Sequence, residues 1–222
     1  MSSRIAKSSH ELQNCSNSSI EKFAEKIRAE FVDGSGIDIE TYNLAIEIVP
    51  DLELDPYTGE VIETPIHDAL NWRYTRFGHQ AQENIYAALF KNEDGSYWQS
   101  KLSKPRIDNK KGKQRKYETP KGVGLRAYRP PVSRQIRRQI AKEFGVEVPP
   151  PFENFWDWLE EHPEIPIIFT EGGKKALCLL SHGYIAIALY GVNGGYRSKD
   201  DYGFPVKPYL IPDVVRFAKG GR

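Results

Sequence analysis

Glu171 is the residue whose surroundings most suggest chemistry. It closes an apolar run in the stretch IIFTEGGKKALCLLSHG, residues 167–183. Gly172, Gly173, Lys174 and Lys175 follow it, and then a helix-like pattern begins. In parallel α/β folds, ligand chemistry gathers at the carboxyl ends of strands, which is where Glu171 falls by position. The two glycines permit a tight strand-to-helix turn with close backbone approach. The first N–H groups of the helix, together with the two lysines, favour phosphate. A carboxylate there could hold a divalent metal or act as a general base, while the lysines steer a polyanion. The same position also suits a plain helix-start acid.

Other constellations are weaker. GGK is not a phosphate-binding P-loop, because position 168 is Ile where Gly is needed and Lys174 is followed by Lys where Ser or Thr is needed. The glycine loop GVNGG, with Gly191, Gly194 and Gly195, is a turn and lacks the dinucleotide fingerprint. Ser181 and His182 are adjacent, and adjacent helical residues do not face each other. Cys178 reads as core packing, and His162 and His182 read as surface or satisfied histidines. Cys15 and Cys178 are isolated, with no spacing that suggests zinc, so no metal ligands are assigned. Two lone thiols fit a reducing cytosol, and no apolar run approaches a membrane span or a signal sequence. The expectation is a cytoplasmic protein without membrane association.

The net charge of +1 conceals an asymmetry. Residues 101–142 carry 15 Lys and Arg against Asp108 and Glu118, a local net of +13 that leaves −12 for the rest of the chain. Clustered cations release counterions when they neutralise phosphates, so the block points to DNA; a solvated loop is the plain alternative. Lys104, Arg106, Arg115, Lys116 and Arg129 are the expected phosphate contacts. Tyr117 and Tyr128 are the expected stacking partners for bases.

These residues need elements to hold them. Residues 1–17 are rich in Ser and Asn and read as a flexible arm. Ser18 and Glu21 have capping-box spacing, and Ile20, Phe23, Ala24, Ile27 and Phe31 keep a helical period until DGSG at 33–36. Alternation from Tyr42 to Leu54 suggests strands, DPYTGE at 55–60 a turn, and residues 85–102 a hairpin. Residues 18–102 thus form an α+β region. Residues 103–148 are a basic loop followed by a helix that starts at a Ser133 cap and stops at Gly145, with Ile136, Ile140 and Phe144 along one face. Pro149, Pro150 and Pro151 form a stiff spacer and the expected domain boundary. Beyond it, residues 152–222 read as a short helix over ENFWDWLEEH and then strand, helix, strand within about 25 residues, a βαβ unit. The apolar strands IPIIF and IAIALY suit a buried parallel sheet. KPYLIPDVVRFAKGG supplies a further helix-like segment. The fold class is α/β with an α+β N-terminal region.

The stretch IIFTEGGKKALCLLSHGYIAIALYGVNGGY resembles the start of the Toprim-like domain of plasmid and phage replication proteins and primases. That family runs apolar strand, T-E-G-E-K-K-A, helix, a G-[YF]-x-A-I-A-L-x-G-V strand and a glycine turn. KPR and RKYETPKG resemble the segment that precedes the domain in the plasmid members. The resemblance implies a partial Toprim- or Rossmann-like parallel sheet, with Glu171 as the acid or base of primer synthesis or strand cleavage. It further implies Mg²⁺-dependent nucleotidyl transfer in a full-length chain, with DNA and a replicative helicase module as partners. Two departures stand out. The family's second acid is Gly173 here, and the Asp-x-Asp pair that holds magnesium has no counterpart, since Asp200, Asp201 and Asp213 are not at a strand end. The expectation is a fragment or truncated relative, holding no magnesium tightly and inactive in primer synthesis by itself. The alternative is a non-catalytic nucleotide- or partner-binding scaffold with a solvated basic linker.

Overall fold

The computed structural model describes residues 9–72, 81–82, 84–108, 112–200 and 202–218, with side chains from residue 19 onward. Lys110, Lys111 and Asp201 lie outside the described residues, as does the first part of the expected arm. The first helix, α1 (Ser9–Arg28), starts well before the Ser18 capping box, so much of the expected arm is helical. It widens into a π-helical turn, Ala29–Asp33, that buries Phe31. A second helix, α2 (Ile39–Ala45), follows Asp38, whose carboxylate accepts from the Thr41 N–H at 3.0 Å. The alternation read as strand from Tyr42 is therefore helical for its first turn, because a cap carboxylate outweighs a short apolar alternation.

The N-terminal sheet is antiparallel, in the order β1 (Ile46–Pro50), β4 (Tyr86–Lys91), β5 (Tyr97–Leu102). The β4–β5 hairpin is the one expected over residues 85–102. Between β1 and β4 lie a small hairpin, β2 (Glu53–Leu54) with β3 (Val61–Glu63), and a short helix, α3 (Pro65–Ala69). Asp55 closes the hairpin turn by accepting from the N–H groups of Tyr57 and Thr58 at 2.8 Å each.

The basic segment is ordered where it is described. A miniature hairpin pairs β6 (Ile107–Asp108) with β7 (Lys113–Gln114), and Glu118 exchanges backbone bonds with Ser100 on β5. Helix α4 (Arg134–Phe144) forms as its end signals dictate. The Ser133 hydroxyl accepts from the Ile136 N–H, and Gly145 stops the helix at φ +66°. A left-handed residue costs little only without a Cβ, which is why glycine ends the helix.

The C-terminal part holds α5 (Phe155–Glu160), then β8 (Ile168–Glu171), α6 (Gly173–Ser181) and β9 (Ala186–Leu189). β8 and β9 are parallel, from Ile168 opposite Ala186 to Glu171 opposite Leu189. Tyr128 bonds Ala188 on β9 as well, through a single antiparallel bridge. β9 is buried on both faces: Ala186 and Ala188 enter one apolar cluster while Ile185 and Ile187 enter another. β8 departs from expectation. Ile168 and Phe169 are 39% and 43% exposed, so it behaves as an edge strand. KPYL is also not helical: β11 (Pro205–Leu210) pairs antiparallel with β10 (Tyr196–Lys199), and only Pro212–Val215 forms a helix, α7. Prolines at 205 and 208 are compatible with a two-stranded ribbon, where a missing N–H faces solvent.

The expected boundary at the prolines does not divide cores. Ile136 and Ile140 from before it share a cluster with Phe155, Trp156, Leu180, Ile187 and Phe217 from after it. A second cluster joins Phe31, Phe90 and Trp98 to Tyr128, Ala176, Leu177 and Ala188. At the junction Trp98 stacks between Tyr128 (4.9 Å between ring centroids) and Tyr190 (4.8 Å). The chain is thus a mixed α/β fold with small antiparallel sheets, cemented across residues 128–190 by aromatic packing. No described helix is long and apolar enough to cross a membrane.

Candidate functional site

Glu171 ends β8, and Gly172 turns the chain at φ +82° into α6. The acid, the turn and the helix start therefore stand together as the sequence implied. Gly173 is there for packing: a Cβ would lie 2.7 Å from the Phe90 ring and 3.2 Å from Trp98. Any side chain at this position would have to displace this aromatic wall. Of the turn glycines, Gly191 sits in the left-handed region. Gly194 is hemmed by the Tyr190 and Gly191 backbone and Gly195 by Leu189.

The two lysines divide. Lys175 Nζ reaches Glu171 Oε1 at 3.4 Å, and both side chains are largely in solvent, 64% and 48% exposed. Lys174 points away from Glu171. Its Nζ donates to Glu30 Oε1 at 2.9 Å and lies 5.3 Å from the Phe31 ring centre, while Lys101 bonds the other Glu30 oxygen. Burial raises the Glu30 carboxyl, but the bonds and charges of Lys101 and Lys174 outweigh it and hold the group below the usual carboxylate range. Tyr117 lies nearby, pushed up to about 12 by burial and by the charge of Glu30. Lys174 is thus a structural cation and not a free phosphate ligand.

A magnesium ion implied by the resemblance needs converging carboxylates. Asp200 and Asp213, the described acids of the C-terminal ribbon and α7, are engaged elsewhere. Asp200 Oδ1 accepts from the N–H groups of Tyr202 and Phe204, closing the β10–β11 turn. Asp213 Oδ2 accepts from Arg126 Nε at 2.9 Å and from the Ala127 N–H at 3.0 Å. Among the described residues no three His, Cys, Asp or Glu side chains group as a metal site. The described residues do not fit Mg²⁺.

The basic block is where sequence and structure part most clearly. Arg106 lies over the Trp72 ring at 4.7 Å and 3.9 Å from Glu118. Arg115 reaches Asp108 and Glu118, each at 3.4 Å. Arg126 and Arg129 converge on Asp213, and Arg129 also reaches Asp94 at 4.0 Å. Arg137 is clasped by Glu93 and by the carbonyls of Val132 and Glu153. Lys104 bonds Asn84, and Lys116 lies over Tyr117 at 5.6 Å. Of the expected phosphate contacts, Arg106 and Arg129 are thus occupied internally, Arg115 is shared with two acids, and Lys104 and Lys116 keep exposed ammonium groups. Tyr128 is fully buried and cannot stack on a base, and Tyr117 packs edge-on against Phe90 at 5.6 Å.

The expected phosphate contacts do not include the outer face of α4. Arg134, Arg138 and Lys142 are exposed there and make no ion pair among the described residues. Their i, i+4, i+8 spacing, opposite the apolar stripe of Ile136, Ile140 and Phe144, was the available signal.

Residues 155–222 match a family model described as a domain of unknown function, DUF3854. An uncharacterized protein of Picosynechococcus sp. is 34% identical over 209 residues. That alignment covers 90% of this chain and 21% of the relative, so the chain spans about a fifth of the length of the curated relative it matches. No solved structure matches the chain.

Proposed function

We propose that the chain is the DNA-binding part of a plasmid or phage replication protein, carrying an incomplete Toprim-like α/β unit that does not turn over by itself. The observation that carries this reading is the parallel pairing of β8 with β9 across α6, with Glu171 on the last paired position and the glycine turn directly after it. Carboxyl ends of parallel strands are where such folds gather ligand chemistry. The absence of converging acids beside Glu171 among the described residues supports a unit that binds without catalysing. Exposed cations on α4 and at Lys104, Lys113, Lys116 and Lys121 supply the attraction for phosphates. The test is a binding titration of labelled DNA across a salt series, run beside a primer-synthesis assay with Mg²⁺. Affinity should fall steeply with salt and no primer should form. Affinity indifferent to salt would remove the phosphate contacts, and primer synthesis abolished by Glu171→Gln would remove the claim of inactivity.

A second reading, a non-catalytic scaffold for a partner protein, is favoured by one observation. The β8 edge exposes Ile168 and Phe169, and the β10–β11 ribbon exposes Tyr196, Val206, Tyr209 and Leu210. Apolar surface of this kind marks interaction sites when contiguous. Binding to a protein partner that survives charge reversal at Arg115 and Lys116, with no retention of DNA by the unaltered chain, would favour it over the first.

A further inference from the structure

We infer that the outward face of α4, bordered by Tyr184, is the docking surface for a single strand of DNA. The inference rests on the DNA-binding reading above and assigns it a place.

Helix α4 is clamped on its inner side. Ile136, Ile140 and Ala141 are buried, and Arg137 donates to the Val132 and Glu153 carbonyls at 3.0 and 2.8 Å while pairing with Glu93. The opposite side is a fixed platform. Arg134, Arg138 and Lys142 recur every four residues, about 6 Å apart along the axis, and fall within about 80° of arc. Such a ridge works against its helix toward the N-terminal end, while Lys142 in the last turn suits the negative end of the dipole. Like charges at i, i+4 repel. Arg134 occupies the first turn, which holds no acid, so its charge opposes the positive end of the helix dipole. Among the described residues the fold provides acids for the arginines of the preceding loop and none for these three. Local choices that oppose the element containing them point to a function outside it, and here an anionic partner relieves every one of the repulsions.

The neighbouring turn supplies the second component. The Gln139 amide rests on Gly183, where a Cβ would be only 2.3 Å from Nε2. Gly183 itself turns at φ +83°, a conformation that favours glycine, and so brings the α6–β9 turn against α4. The next residue, Tyr184, is 57% exposed, and no described ring contact or hydrogen bond occupies its side chain. A line of cations with an open aromatic ring at its border is how sequence-tolerant proteins hold single strands: the cations follow one backbone and a splayed base stacks on the ring. A duplex keeps its bases stacked and would leave Tyr184 unused.

The test uses fluorescence anisotropy of a labelled oligo-dT strand and a labelled hairpin duplex, across a KCl series. The whole chain is compared with Arg134→Gln/Arg138→Gln/Lys142→Gln, with Tyr184→Leu, and with Lys22→Gln/Lys26→Gln on α1 as a control. The triple variant should bind the single strand at least tenfold more weakly. Its log–log salt slope should be shallower by about 2, at roughly 0.7 per lost contact. Tyr184→Leu should lose roughly tenfold on oligo-dT with the slope unchanged, since stacking on an aromatic side chain is worth about 1–3 kcal/mol per base. The α1 control should stay within twofold. The triple variant should also melt no lower than the parent, because it removes repulsion without touching a buried group. If the unaltered chain binds neither DNA, the DNA-binding reading falls and this inference with it. If it binds DNA but the triple variant keeps the parental affinity and slope, the inference alone falls. Equal binding of the duplex with no effect of Tyr184→Leu would overturn the single-strand assignment.

Discussion

The loop at residues 104–129 and helix α4 are adjacent in sequence and similar in composition, yet the fold treats their cations in opposite ways. In the loop, Arg106, Arg115, Arg126 and Arg129 each meet a carboxylate brought from elsewhere in the chain or from within the loop. On α4, Arg134, Arg138 and Lys142 meet none among the described residues, and only Arg137 turns inward. A count of basic residues cannot separate these cases. What separates them is whether an acid is delivered to the same spot by the tertiary fold. The local +13 is therefore a property of the sequence, and the surface that an anion would feel is smaller and lies mainly on one helix face.

Arg137 gives the largest test of that contrast. It is the α4 arginine that behaves like a loop arginine, almost fully buried against Glu93, whose carboxyl burial pushes up despite the Phe155 N–H and the Arg137 charge. Arg137→Met would leave that acid buried without its counter-charge, at a cost of about 3–5 kcal/mol. Urea unfolding should record the loss, and Arg137→Met/Glu93→Leu should recover a large part of it. Losses that simply add in the double variant would mean that the two groups do not act as a pair.

Asp213 is the corresponding test on the loop side. It fastens Arg126, Arg129 and the Ala127 N–H. Asp213→Asn should destabilise by about 1–3 kcal/mol, because the charge-assisted bonds are lost and the partly buried guanidinium groups keep only the more distant Asp94. It should also convert the loop toward the α4 condition, so the same variant should bind DNA more tightly and with a steeper salt slope. Weaker binding by a folded Asp213→Asn protein would contradict the view that internal pairing is what withdraws the loop from the surface.

These pairings set the limit of what the sequence discloses. The ends of α4 were legible because Ser133 and Gly145 act on groups within a few residues. The β4–β5 hairpin and the β8–α6–β9 order were legible for the same reason, through local period and turn chemistry. The Arg126–Asp213 bond spans 87 positions, and no periodicity announces it. Tyr128 was misjudged because an amphipathic ring suits a wet site and a core equally, and only the stack with Trp98 decides. At Gly173 the Phe90 ring occupies the room that a side chain would need, and no local pattern announces that contact.

Lys174 and Lys175 repeat the contrast within one dipeptide. Lys174→Met should cost about 1–2 kcal/mol, since it removes a charge-assisted bond to partly buried Glu30. Glu30 also predicts a pH dependence. Its folded carboxyl lies below the ordinary range, so the stability it contributes is fully present above the unfolded value and is lost as pH falls through the folded one. Glu30→Gln should remove that acid-side component from the stability–pH curve. A curve whose acid limb is the same in both proteins would show that Lys101 and Lys174 do not depress the group.

Glu171→Gln should have the smallest effect on folding. The Glu171–Lys175 pair is solvent-exposed at 3.4 Å, and exposed pairs and surface substitutions typically change stability by no more than about 0.5 kcal/mol. The variant therefore separates two meanings of the acid at the end of β8. A helix-start acid acting on the positive end of α6 would show its whole effect as a small drop in melting temperature, reproduced by added salt in the parent protein. An acid placed for chemistry would leave melting almost unchanged and alter nucleic-acid behaviour instead. The neutral amide removes repulsion between the carboxylate and a backbone approaching the α6 N-terminus, so DNA affinity should rise slightly. A loss of affinity would mean that Glu171 orients Lys175 toward the strand, making the pair, and not the acid alone, the functional unit at this turn.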